Sequence, residues 1–273
     1  MDEPKQAGGL AYREAGPPAG EAAAGTALLV HGWPESSWMW RGVMGPLADA
    51  GWRAIAPDLA GFGDSPAYPP GTWERQIRAL DNLYGALDPG PVALVVHDWG
   101  GLIGLRWACD RPAAVRALCI SDTGFFPDGR WHGLAETLRT EGEGEQLLES
   151  LDRDGFGALL KQAIPGVEDR ALDEYWKGLA DLERRRGTLE LYRSGDFEKL
   201  APYEGRLAAL EVPTLLLWGA DDPFAPVAGA HRLAREIPGA EVVVLDGTGH
   251  FAPDQSPEAY AAALLDFLGR VAG

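Results

Sequence analysis

Apolar residues in this chain fall into two kinds of run. Six are short and rich in leucine, valine or alanine: residues 26–30, 53–56, 92–96, 117–120, 214–218 and 241–245. Continuous apolar runs of this length, bounded by polar or glycine-rich segments, predict strands buried on both faces. Between them, apolar positions recur at helical spacing over residues 38–50, 73–87, 101–109, 228–237 and 257–271. Residues 10–15 are expected to pair at the sheet edge. The alternation predicts an α/β fold, a mostly parallel sheet flanked by helices.

One stretch breaks the alternation. Residues 125–206 contain helical segments punctuated by glycine, and no strand pattern. About 80 residues of helix between two strands predict a lid inserted after the sixth strand, and lids exclude water and shape pockets. The expected organisation is therefore a core of residues 1–124 and 207–273 carrying a helical cap of residues 125–206.

Composition narrows the classes. A chain of 273 residues, 46% of them hydrophobic, can bury the core of one large domain with an insertion. With 24 basic against 41 acidic side chains the formal charge is −17, which argues against a nucleic-acid partner. Apolar runs stay far below the roughly 18 residues of a membrane span. Residues 1–9 are polar, without the apolar stretch of a secretory signal, so a cytoplasmic monomer or homodimer is expected. Cys109 and Cys119 both sit in apolar surroundings, which predicts two buried thiols rather than a disulfide or a metal site.

The most informative segment is Val95-Val96-His97-Asp98-Trp99-Gly100-Gly101-Leu102. A strand here runs into a polar residue, two glycines and a helix pattern, which predicts a sharp turn lifting the Asp98 side chain above the sheet. A carboxylate so placed can attack a saturated carbon to form an ester, and the helix N-terminus behind it favours the ionised form. His31-Gly32-Trp33-Pro34 follows another strand and can aim the Trp33 amide towards Asp98; with the Trp99 amide it would hold an oxyanion. Near the other end Gly249-His250-Phe251 puts an imidazole on a loop at the carboxyl edge of the sheet, where open α/β sheets bind ligands. Three carboxylates are candidates to orient it. Asp222, immediately before Pro223, is the first choice, and Asp221 and Asp122 are the alternatives.

Together with Ala56-Pro57-Asp58-Leu59 and Gly61-Phe62-Gly63-Asp64-Ser65, these motifs resemble the α/β-hydrolase superfamily. More narrowly they resemble its Asp-nucleophile branch, the haloalkane dehalogenases and α/β epoxide hydrolases. The resemblance implies that Asp98 forms an alkyl-enzyme ester and that His250, oriented by Asp222, activates the water that hydrolyses it. It also implies that no metal and no organic cofactor is needed, and that the partner is a small neutral organic molecule. Trp99 is similar to the first halide-binding tryptophan of dehalogenases. Trp33 stands where dehalogenases carry Asn or Glu and epoxide hydrolases an aromatic. Leu191-Tyr192-Arg193 resembles the Tyr-Arg of epoxide hydrolase lids, with Tyr175 and Tyr203 as the remaining phenols in reach of a second role. Trp131 and His132 resemble haloacetate dehalogenase pockets, yet Trp99 and Leu102 occupy the positions of the arginines that would hold a haloacid. The resemblance favours a neutral alkyl halide, with epoxide hydrolysis as the alternative. A catalytically silent ligand-binding scaffold is the least favoured reading.

Overall fold

The computed structural model describes residues 3–18 and 20–271. Its eight strands are β1 (Lys5–Ala7), β2 (Leu10–Ala15), β3 (Gly25–Val30), β4 (Trp52–Pro57), β5 (Val92–His97), β6 (Val115–Ser121), β7 (Thr214–Gly219) and β8 (Glu241–Leu245). They form one sheet in the order β1-β2-β4-β3-β5-β6-β7-β8. The pairings from β4 through β8 are parallel, and β1 and β2 join antiparallel.

Two expectations about the edges fail. Residues 10–15 are the second strand, because β1 turns back onto them through Gly8 and Gly9, both with positive φ. A two-residue loop of that kind is what a tight hairpin requires. Residues 241–245 read as a doubly buried run, but β8 is the opposite edge and is only half-buried.

The sheet is covered by α1 (Arg41–Asp49), α2 (Trp73–Leu87), α3 (Trp99–Asp110), α9 (Ala228–Glu236), α10 (Ala252–Gln255) and α11 (Pro257–Val271). Every residue of β5 is buried, and α3 above it buries Ile103, Leu105 and Trp107. Each such side chain contributes roughly 1.5–3 kcal/mol, so the strand that leads into Asp98 is held by burial on both faces. Cys109 and Cys119 are free and buried, and burial pushes both thiols up to about 12, which leaves them unreactive.

Between β6 and β7 lie α4 (Gly133–Arg139), α5 (Glu143–Ser150), α6 (Arg153–Ala163), α7 (Asp169–Trp176) and α8 (Leu182–Ser194). α4 carries no clear helical signal in the sequence; it is started by His132, whose Nδ1 accepts the Ala135 amide. α8 runs unbroken through Gly187, where the sequence suggests an interruption. Here a β-carbon on Gly71 would meet the Gly187 backbone at 2.6 Å, so the main chain before α2 and that of α8 touch. Arginines bind this segment together: Arg185 donates to the carbonyls of Leu148, Leu151 and Leu179. Arg184 reaches across to the core carbonyls of Gly61 and Ser65. Among the described residues no helix is long and apolar enough to cross a membrane.

Candidate active site

Asp98 directly follows β5 with φ +49°, a conformation rare for a residue with a side chain and retained only where the surroundings enforce it. It stands at the N-cap of α3 but does not cap the helix. Its carboxylate turns instead towards the loop after β3, where the Trp33 amide donates to Oδ1 at 2.8 Å. The approach is tight, since a β-carbon on Gly32 would lie 2.4 Å from Oδ1. On the other side, Gly100 lets α3 start against the carbonyls of Val30 and His31. The Trp99 amide, at the first position of α3, has no helical carbonyl to bond.

His250 lies between two carboxylates. Its Nδ1 donates to Asp222 Oδ2 at 2.8 Å, and its Nε2 is 3.5 Å from Asp98 Oδ2. Asp222 is held in turn by the amides of Phe224 and Ala225 on Oδ1, at 2.7 and 2.9 Å. Burial works against the charged forms of all three groups, but their mutual bonds and charges override it. Asp98 is drawn down to about 2, Asp222 is lowered, and His250 is raised well above the usual imidazole range.

The alternative acids are elsewhere. Asp122 follows β6 with φ +48°; its Oδ1 accepts the Gly219 amide at 2.9 Å and its Oδ2 is buried without a partner. Burial raises this carboxyl well above the usual range, which favours the neutral acid. Asp221 is exposed, and its amide donates to the Thr248 carbonyl, tying the loop after β7 to the loop after β8.

Beneath the site is a charged pair that the sequence motifs contain without declaring. His97 Nδ1 lies 3.1 Å from Glu35 Oε2, both side chains wholly buried, and its Nε2 donates to the His250 carbonyl at 2.7 Å. Burial pushes the His97 imidazole down, but the Glu35 carboxylate more than reverses this and leaves it at about 9. The signal in the sequence is two ionisable residues directly following otherwise buried segments. His31 contrasts with His97: burial lowers it to about 4, and its Nε2 accepts the Leu59 amide.

The aromatic candidates separate. Tyr192 on α8 is buried, edge-on to Trp33 at 5.6 Å and to Trp99 at 5.2 Å between ring centres. The indole N–H groups of Trp33 and Trp99 are buried without a hydrogen-bond partner of good geometry, although Trp99 lies close enough to the Tyr192 phenol to temper the rise that burial gives it. Trp131 stacks on Trp99 at 5.2 Å, but its N–H is taken by the Gly195 carbonyl, so it is not a free donor. Tyr175 donates to Asp254 at 2.6 Å and Tyr203 to Asp110 at 2.9 Å, which removes both from a second phenol role. Because His132 Nδ1 accepts from Ala135, its neutral ring carries the proton on Nε2.

A cavity of about 380 Å³ opens over Asp98 and His250, walled by Trp33, Tyr192 and the leucines of α5 and α6. An ionised carboxylate on its floor, a base 3.5 Å away and an apolar wall suit attack on a neutral carbon electrophile.

The α/β hydrolase fold family model matches residues 27–257. A haloalkane dehalogenase of Sphingobium indicum is 31% identical over 89% of this chain and 88% of its own. An epoxide hydrolase 3 of Siraitia grosvenorii is 30% identical over 89% of this chain and 91% of its own. The crystal structure of a haloalkane dehalogenase from Bradyrhizobium elkani superposes with a TM-score of 0.82 at 26% identity, covering 98% and 97% of the two chains. The chain belongs to the α/β-hydrolase family of enzymes, with relatives among both the haloalkane dehalogenases and the epoxide hydrolases.

Proposed function

We propose that this enzyme is a dehalogenase that converts a neutral alkyl halide to an alcohol and a halide ion through an ester on Asp98, with residues 125–206 as its cap. The observation that carries the reading is the donor set: the buried, unpartnered indole N–H of Trp33 in the wall of an apolar cavity over the carboxylate, with the buried N–H of Trp99 behind it, against Tyr192. A leaving halide is stabilised by such N–H donors in surroundings free of water.

In the first step an oxygen of Asp98 attacks the carbon, the carbon–halogen bond breaks and the halide takes the bonding electrons. Asp98 loses its charge in this step, and with it one of the two carboxylates that raise His250. The imidazolium then gives up its proton to solvent and becomes the base the second step needs. Neutral His250 takes a proton from water, whose oxygen attacks the ester carbonyl. The Trp33 and Trp99 amides hold the resulting oxyanion. The acyl–oxygen bond breaks and the alcohol departs with a proton from His250; the Asp98 acid then passes its remaining proton to His250, which restores the carboxylate and the imidazolium. Asp222 keeps the His250 ring oriented throughout.

The experiment is His250→Ala with 1-bromohexane. Bromide release should stop after one equivalent, and mass spectrometry should find one hexyl group on Asp98. An unmodified, turning-over variant refutes the scheme. The Tyr192 phenol in the cavity wall favours epoxide hydrolysis as a second reading; an enzyme that opens styrene oxide to the diol but releases no bromide would be that enzyme instead.

A further inference from the structure

Asp98 and His250 are reached from two sides. A second cavity, of about 350 Å³, shares four lining residues with the first: Asp98, His132, Phe224 and His250. The rings of His132 and Phe224 pack at 4.8 Å and form the partition between the two. The first chamber is apolar and opens between α4 and α6, where Leu134 and Leu159 are 36% and 56% exposed. The second has Asp122, Thr123 and Arg130 in its wall and opens between the loop after β6 and the start of α9, where Arg130 and Ala228 are exposed.

The covalent scheme proposed above, on which this inference rests, sets a traffic problem. Once the ester has formed, the alkyl chain is tethered to Asp98 and fills the first chamber, and the halide leaves into the same chamber beside Trp33 and Tyr192. Water has to reach His250 while that chamber is plugged. Packed alkyl chains leave no gap of water size, and an apolar cavity does not hold water in reserve. The second chamber touches both Asp98 and His250 without passing the alkyl chain.

We propose that the hydrolytic water enters through the second chamber, past Gly124 and Ala228, so that organic substrate and water use separate entrances. Gly124 is a usable plug position, since a β-carbon there meets no atom within 4 Å and its φ is not in the left-handed region. Ala228 is at the exposed rim, so Ala228→Trp narrows the mouth without disturbing the core.

The test mixes excess 1-bromohexane with wild type, Gly124→Leu and Ala228→Trp, quenches at intervals and follows the hexyl adduct by intact mass. The adduct should form at the wild-type rate in both variants and decay about tenfold more slowly in at least one. Leu159→Trp, at the rim of the other chamber, should slow formation and leave decay unchanged. Unchanged decay in both second-chamber variants, with circular dichroism confirming their fold, overturns the proposal, as does slowed formation in them, which would make this chamber the substrate route. A wild type that shows no adduct in any of these mixtures and no bromide release removes the ester scheme itself, a different result from unchanged decay.

Discussion

The carboxyl edge of the sheet and the helical segment over it are organised by opposite means. At the edge the carboxylates and the imidazole are fixed by short polar contacts with backbone: the Trp33 amide to Asp98, the Phe224 and Ala225 amides to Asp222, and the His250 carbonyl accepting from the His97 ring. Strain is retained there, in the positive φ of Asp98 and Asp122. In residues 125–206 the polar contacts bind helices to one another, as when Arg139 donates to the carbonyls of Tyr192 and Gly195, while leucines face the cavity. On the proposed scheme, chemistry belongs to the rigid edge, and the shape of what enters belongs to the helices. This division lets one family vary its substrates without moving its carboxylates.

The sharpest break of that contrast is at Asp98. Asp98→Asn keeps the shape and removes the nucleophile, so turnover should fall on the order of 10⁴-fold or more with the thermal unfolding midpoint retained. Full activity in the variant would end the assignment. Next are the two acids. Asp222→Asn should lower turnover by roughly 10³ to 10⁴-fold, because the imidazole loses both its orientation and a compensating charge. Asp122→Asn should cost only a few-fold, since that carboxyl is already favoured as the neutral acid. Equal losses in steady-state bromide release would show that Asp122 carries the role given to Asp222.

The same contrast governs what the sequence reveals. The strands and the motif at 95–102 are legible because a buried parallel strand must be apolar throughout and a tight turn must be glycine-rich. β1 is not, because Lys5-Gln6-Ala7 carries no apolar pattern and is fixed only by the Gly8-Gly9 turn and its neighbour. Asp222 is set apart from Asp122 in the sequence only by the proline after it; what separates them physically is that Asp222 reaches His250 Nδ1. The helical segment is least legible. α4 starts at a histidine rather than a usual capping residue, α8 passes through a glycine, and only coordinates show that the Gly195 carbonyl already holds the Trp131 N–H.

Stability with pH sharpens the comparison further. The unfolded imidazole titrates near 6.5, and folded His97 at about 9. A raised folded value means that its contribution is complete below pH 6.5 and is lost as pH rises from there through 9, about 3 kcal/mol in all. Urea unfolding should therefore show wild type weakening between pH 6 and pH 9.5. Glu35→Gln should weaken less over the same interval, the residual slope belonging to His250 and Asp122, both raised in the same sense. Identical slopes would mean that Glu35 does not hold the His97 proton. For the helices, Arg185→Met removes donors to three carbonyls and should cost about 2 kcal/mol of stability while changing the rate of adduct formation on Asp98 little.

Tyr192 is where the division is least clean, because it belongs to α8 yet packs against both Trp33 and Trp99. Tyr192→Phe removes one hydroxyl and keeps the ring contacts, so the fold and the substrate affinity should hold. With a bromoalkane, two indole N–H groups remain for the halide, and one neutral hydrogen bond out of three is worth about 1 kcal/mol, or roughly fivefold in rate. With an epoxide the phenol would be the acid that protonates the developing alkoxide, a role indoles cannot take over, and the loss should approach 10²-fold or more. The ratio of the two losses, measured on 1-bromohexane and styrene oxide with one variant, therefore reads which leaving group the site is built for. A small loss on bromide release places the discriminating donors at the sheet edge, with Trp33 and Trp99; a large one moves them into the helices and weakens the separation of chemistry from shape.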